Sequence, residues 1–280
     1  MKSRKKLLTR GIFFATIFLM CSACGKKQNV EIKSDEKLYE WIPQAIEIYN
    51  KEEKKETIAV YKTKEEKGTS ISTQKTIQDE ANKNYETQDI TEKWDQTIKE
   101  NRSVYLTEGD KFFCYWLESK DSWSKMQIED SEKKELSRVI NTEFDEGTQL
   151  TYEFLGEETI NEISVIKAKV IVELNESIAE QWEKTSDPIK IKELRKAHPD
   201  FEKALKSCEK KSKTYEMTFD AKTKTLLQSK CDITDEMIVQ YYILQASEIA
   251  ENEIPQHVTA EISYLSGEKC EIITRPQGVQ

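Results

Sequence analysis

The chain has 280 residues, enough for one large or two small domains, and its 43 Lys and Arg against 52 Asp and Glu give a formal charge of −9. That acidic balance leaves no electrostatic footprint for nucleic acid. Charged residues make up 34 % and glycine only eight positions, which excludes a low-complexity stalk and points to an ordered body.

Met1 to Arg10 carries five cations (Lys2, Arg4, Lys5, Lys6, Arg10) and no acid. The apolar run 11–20 follows, then Cys21-Ser22-Ala23-Cys24-Gly25. A basic head, a short apolar stretch and small residues at a cut point make an export signal. The apolar run is about half the ~20 residues needed to span a hydrocarbon core. Small residues before Cys24 resemble a bacterial lipobox, with Cys21 in the place usually held by Leu and Leu19 or Met20 supplying the apolar grip. The resemblance implies a diacylglycerol on Cys24 and removal of residues 1–23. The plainer alternative is an ordinary signal peptide. Residues 1–23 hold five of the 43 cations and none of the 52 acids, so 38 cations face 52 acids from Cys24 onward and that chain carries −14. Such a charge is repelled by anionic lipid, which leaves the two acyl chains as the expected means of attachment.

Residues 24–33 read as a polar tether and 34–280 as the folded domain. From Ser34, Leu38, Trp41, Ile42, Ala45, Ile46 and Tyr49 make one helical stripe, with Pro43 either kinking it or sitting in the first turn of a helix that starts near Trp41. The period then changes to two. Strands are expected over 57–64 and 69–78, and the second is polar on both faces, as suits a strand lining a groove. Residues 91–101 fit a strand better than a short helix. Val104–Leu106 and Lys111–Leu117 form a hairpin about Glu108-Gly109-Asp110, followed by a short strand at 122–126 and a helix at 131–141. Residues 149–155 alternate and Gly156-Glu157-Glu158 breaks the strand. A long strand covers 160–174. Residues 175–213 are helical, cut by Pro188 and Pro199, and read as an insertion over an edge or mouth of the sheet. Thr214–Phe219 and Thr225–Cys231 make a hairpin. Residues 237–245, 258–264 and 269–273 are read as strands, the first apolar on both faces.

Besides Cys24, the cysteines from 24 onward are Cys114, Cys208, Cys231 and Cys270. Outside the membrane they can form disulfides, and Cys208 with Cys231, which flank one hairpin, is the expected pair; the alternative is buried free thiols.

The stretch 109–126, rich in Tyr and Trp, is followed by TYEFLGEETINEISVIKAKV (151–170) and YEMTFDAKTKTLLQS (215–229). In this order they resemble lipoproteins that share the fold of the carriers LolA and LolB and of the mycobacterial LppX/LprG group. In that group G-E-E-x-I-x-G leads into a long strand and Y-x-x-x-F/I-D-x-K-T-x-L-L makes the next hairpin. Two departures stand out: Asn161-Glu162 where the family turn has glycine, and the 175–213 block in place of a shorter connection. The resemblance implies an α+β fold, a strongly curved antiparallel sheet or incomplete barrel with helices on its concave side. It also implies a lipid or acyl chain in the concavity. Trp41, Tyr49, Phe113, Tyr115, Tyr152, Phe154, Val170, Tyr215, Phe219 and Tyr241 are the candidates to line that cavity, or else to form a plain core.

His198 and His257 are distant from each other and form no metal spacing with the cysteines. His198-Pro199-Asp200 matches the J-domain tripeptide without the rest of that domain; Asp200 would instead cap the following helix. No nucleophile elbow, Walker loop, dinucleotide fingerprint or zincin motif occurs. The reading is therefore a non-enzymatic, membrane-anchored lipoprotein without cofactor or metal, binding an apolar ligand or lipidated partner. The alternative is a fully packed interaction protein that docks an envelope protein through 175–213.

Overall fold

The computed structural model describes residues 31–32, 42–119, 122–129, 150–245 and 250–279. The signal, Cys24, Trp41 and the expected helix at 131–141 lie outside the described residues.

One mixed sheet organises the described chain. Its strands are β1 (Glu31–Ile32), β2 (Lys54–Glu65), β3 (Gly68–Asp79), β4 (Asn84–Glu92), β5 (Ile98–Glu108), β6 (Lys111–Ser119), β7 (Ser122–Gln127), β8 (Leu150–Ile160), β9 (Ile163–Glu173), β10 (Ser212–Asp220), β11 (Leu226–Asp232) and β12 (His257–Ser266). Their spatial order is β1-β8-β9-β10-β11-β12-β2-β3-β4-β5-β6-β7. Among the described strands β1 on β8 is the parallel pair, with Glu31 opposite Thr151, and the other strand pairs are antiparallel. The sheet is curved and does not close: β1 and β7 are its two ends. Strand twist accumulates across so many strands. Register shifts at Leu117/Ser119, Phe154/Gly156 and Thr218/Phe219 add local bends. The expected α+β incomplete barrel is what the chain forms.

Among the described residues five α-helices attend the sheet: α1 (Ile42–Lys51), α2 (Ile178–Thr185), α3 (Pro188–Ala197), α4 (Pro199–Ser207) and α5 (Thr234–Leu244). Pro43 sits in the first turn of α1, where its missing N–H costs nothing. Ile42, Ala45, Ile46 and Tyr49 of α1 are buried against β9–β12 and β2 in the main core. Each large side chain buried there contributes roughly 1.5–3 kcal/mol. A second cluster lies among α2, α3, α4 and α5, centred on Trp182, Phe201, Leu205, Val239 and Tyr242. No described helix is long and apolar enough to cross a membrane.

Several local expectations are corrected. Of residues 237–245, expected as a strand, 237–244 belong to helix α5 and Gln245 is its C-cap. A nearly continuous apolar run has no period to distinguish the two, and its apolar sides are covered by α4 on one flank and the sheet on the other. Strand β4 was hidden in the polar run NYETQDITE, and 98–101 extends β5. Gly156 bulges β8 rather than ending it; the turn comes at Asn161 (φ 48°) and Glu162 (φ 70°), which occupy the left-handed region without glycine. Residues 271–276 form no strand and lie after a 3₁₀ turn at Gly267–Lys269. Asp200 does not cap α4. His198 is the N-cap residue, makes no side-chain capping bond, and packs its ring 4.8 Å from that of Tyr242. Glu31 and Ile32, expected in the tether, pair with the sheet.

Candidate functional site

The pairing registers define one face that runs continuously under α1. One row reads Tyr152, Val170, Tyr215, then Ala260, Tyr61, Ser72 and Thr91. The next reads Ala168, Met217, Ser229, Ile262, Ala59, Gln74 and Asp89. In both, the side chains are predominantly apolar up to β2 and polar on β3 and β4. The same face continues through Ser103 and Trp116 to Ser124 on the end strand β7.

Hydrogen bonds knit the polar stretch. Tyr61 donates its hydroxyl to Gln74 Oε1 at 3.2 Å. Ser72 Oγ donates to Asp89 Oδ1 at 3.0 Å and lies 3.1 Å from Thr91 Oγ1. Burial holds the Asp89 carboxyl above the usual carboxylate range, and the Ser72 hydroxyl pulls the other way. On the apolar stretch, Tyr49 stands edge-on to Tyr264 with ring centres 5.1 Å apart, and Tyr264 Oη lies 2.7 Å from Ser229 Oγ. The Tyr152 hydroxyl differs from these. It is buried in the main core, finds no hydrogen-bond partner among the described residues, and burial raises its pKa. An orphaned buried hydroxyl costs about 1–3 kcal/mol.

Of the ten cavity candidates, the structure brings five together: Tyr49, Tyr152, Val170, Tyr215 and Phe219 share the main core under α1. Phe113 and Tyr115 are corrected to the opposite face, because they alternate with Cys114 and Trp116. There they pack with Val104, Leu106, Ile273 and Val279, while Lys125 Nζ lies 3.7 Å above the Phe113 ring. Phe154 is at the bulge of β8 and 41 % exposed. Tyr241 is on α5, beside the second cluster, and donates its hydroxyl to the Ala250 carbonyl at 2.9 Å.

Cys208 and Cys231, the expected disulfide, are both free thiols and sit in different clusters, Cys208 among the helices and Cys231 under α1. The helical block of 175–213 puts a whole layer of packing around Cys208, which the hairpin reading ignored. Among the described residues no group of three or more His, Cys, Asp or Glu is placed to hold a metal ion. A groove of about 660 Å³ between the end of α1 and the 267–269 turn is lined by Ile48 and by charged residues such as Lys51 and Glu268, and includes none of the candidates. The residues that sequence reading missed are Gln74 and Asp89; the signal for them was the two-faced polarity of 69–78.

No family model matches the chain, and no curated protein is a match. Among solved structures the chain is similar to the lipoprotein LppX of Mycobacterium tuberculosis, at 12 % identity and a TM-score of 0.39, over 86 % of this chain and 100 % of that one. It is similar to LprF from Mycobacterium bovis at 9 % identity and 0.38, over 86 % and 98 %. A putative outer membrane lipoprotein-sorting protein domain from Vibrio parahaemolyticus follows at 11 % and 0.23, over 82 % and 92 %.

Proposed function

We propose that this protein is a lipoprotein held outside the cytoplasmic membrane by an acylated Cys24, and that it binds an apolar or amphipathic ligand on the α1-covered face without catalysing a reaction. One observation carries the reading: the Tyr152 hydroxyl is buried in the main core and has no hydrogen-bond partner among the described residues. A ligand carbonyl or hydroxyl there would satisfy it, while the ligand's apolar part replaced contacts now made by α1. The change from apolar to polar along each row suits a molecule with a greasy and a polar end.

Native mass spectrometry of the protein released from its anchor and purified without detergent tests this. Adducts of lipid mass are expected, weakened by Tyr152→Phe. A bare polypeptide mass with no response to fatty-acid or lipid probes would sink the reading. The intact mass of the membrane-bound form, beginning at Cys24 with a diacylglyceryl group, tests the anchor.

A second reading, docking of an envelope protein, draws support from the helical block. Its own core is separate from the main one. Deleting 175–213 would then remove a pull-down partner while the sheet stayed folded.

A further inference from the structure

The net charge of the chain conceals a local reversal. From Pro188 through Lys211, α3, α4 and the turn after them hold eight cations against four acids, in a chain that is −9 as a whole. Some of these cations are engaged. Arg195 pairs with Glu183 and Glu202, Lys211 pairs with Glu180, and Lys190 donates to the carbonyls of Ile243 and Gln245. Lys192, Lys196, Lys203, Lys206 and Lys210 are exposed and make no ion pair among the described residues.

Helix periodicity sets where they point. α4 buries Phe201, Ala204 and Leu205, so Lys203 and Lys206 ride its outer ridge, and Lys210 continues the same spacing in the turn beyond. α3 buries Ile191 and Leu194, which turns Lys192, Lys196 and the 69 % exposed Ile189 outward.

The topology says what lies near. The block leaves β9 and re-enters β10 at one end of the sheet, where Leu174 N–H donates to the Lys211 carbonyl at 2.8 Å. β1 joins the sheet at that same end, with Glu31 opposite Thr151 and Thr151 opposite Ile171. Two strand spacings, about 10 Å, therefore separate Glu31 from the strand that feeds the helices. The seven steps of chain from Cys24 to Glu31 reach at most about 25 Å. An acyl group on Cys24 thus holds the helical end of the fold close to the bilayer.

We propose that the outward faces of α3 and α4 are a membrane-contact surface for anionic phospholipid headgroups, with Lys192, Lys196, Lys203, Lys206 and Lys210 as the contacts. The proposal rests on the anchor reading for its orientation and on the charge placement for its chemistry. Lysines at such a surface attract anionic lipid additively, by about fivefold in partitioning each, and only within a screening length of roughly 8–10 Å. The anchor supplies that proximity. The rest of the acidic body is repelled, so the two effects together orient the protein with its sheet away from the lipid.

Lysine acylation footprinting on the lipidated full protein tests the surface, with vesicles of phosphatidylcholine alone or with 30 % phosphatidylglycerol as probes (about one anionic lipid in three, enough to set a surface potential). Flotation with the neutral vesicles reports the anchor separately. The five lysines are expected to be labelled at least fivefold more slowly on anionic vesicles, with reversal in high salt, while Lys111 and Lys222 at the far end of the sheet stay unchanged. Equal labelling of the five on both vesicles would overturn the proposal. So would protection by soluble polyphosphate without protection by anionic vesicles, which would assign the face to an anionic polymer. Failure to float with neutral vesicles would sink the anchor alone; salt-sensitive flotation with anionic vesicles would then support the surface, and its absence would refute it.

Discussion

Glu56 accepts the backbone N–H of Glu271 at 2.7 Å through Oε2, on the face opposite α1. Lys75 lies 3.6 Å from the other oxygen of the same carboxylate and also pairs with Glu271. Glu56 is 1 % exposed, and beyond this anchor Ile273 and Val279 pack onto Tyr115. Val279 finally bridges to Trp123 at the edge strand β7. The C-terminal segment is thus strapped across β2–β7 by one buried carboxylate. Glu56→Ala is expected to lose about 2–3 kcal/mol, the cost of a charge-assisted bond plus an orphaned N–H. Chemical denaturation reads the loss, and limited proteolysis should cut within 271–279 many times faster. Glu56→Gln keeps the acceptor and should recover most of both.

Three thiols set an alkaline limit on stability. Burial pushes Cys114 and Cys208 up to about 12 and Cys270 up to about 11, from an ordinary value near 9. The folded state keeps these protons while the unfolded chain releases them. Their contribution is complete below pH 9 and is lost as pH rises toward 11–12, by up to about 1.4 kcal/mol per pH unit for each fully buried thiol. Melting temperature followed from pH 8 to 11 should fall, and Cys114→Ala should flatten part of that slope. In native protein at pH 8, iodoacetamide should leave Cys114, Cys208, Cys231 and Cys270 unlabelled until denaturant is added; recovery of a Cys208–Cys231 disulfide would contradict the structure.

Asp89 titrates with a parallel sign at acid pH. Its raised pKa means that the folded state binds its proton more tightly than the unfolded chain does. Stability is fully present below the ordinary carboxylate value and declines as pH rises through the raised one. Asp89→Asn removes that penalty, keeps an acceptor for the Ser72 hydroxyl, and should raise the melting temperature at pH 7 while leaving it nearly unchanged at pH 3. A lower melting temperature at pH 7 would show that the charge is used, not merely tolerated.

Ser177 caps α2 reciprocally. Its Oγ accepts from Glu180 N–H at 3.1 Å, and its own N–H donates to Glu180 Oε2 at 2.7 Å. Ser177→Ala should cost about 1 kcal/mol. Because Lys211 also pairs with Glu180, the loss should loosen the return of the block to β10 as well, visible as faster amide exchange at 174–180.

Much of this molecule is legible in its residues, and the exceptions share a cause. Tyr215 and Phe219 alternate with polar neighbours, so their common face was readable from period two alone. The hairpins at Gly109 and at 220–224 carry their own turn chemistry. α5 was misread because Met237 to Leu244 is apolar on every side, and only its packing between other elements selects a helix. β4 was invisible because a strand placed between two strands and half-solvated on both faces needs no apolar alternation. Phe113 and Tyr115 were assigned to the wrong face because alternation defines two faces without saying which one α1 covers. Asp89 and Gln74 could not be singled out as a pair until the register set them side by side.

The seam between β12 and β2 pairs His257 with Lys64 and Ser266 with Lys55, joining the near-last strand of the chain to nearly the first. Neither half of the sheet can borrow an edge from the other until the ribosome has released residue 266. High contact order of this kind makes folding slow. If the chain is exported as proposed, such late stitching would be an advantage: the polypeptide would stay pliable during passage and lock only on the far side.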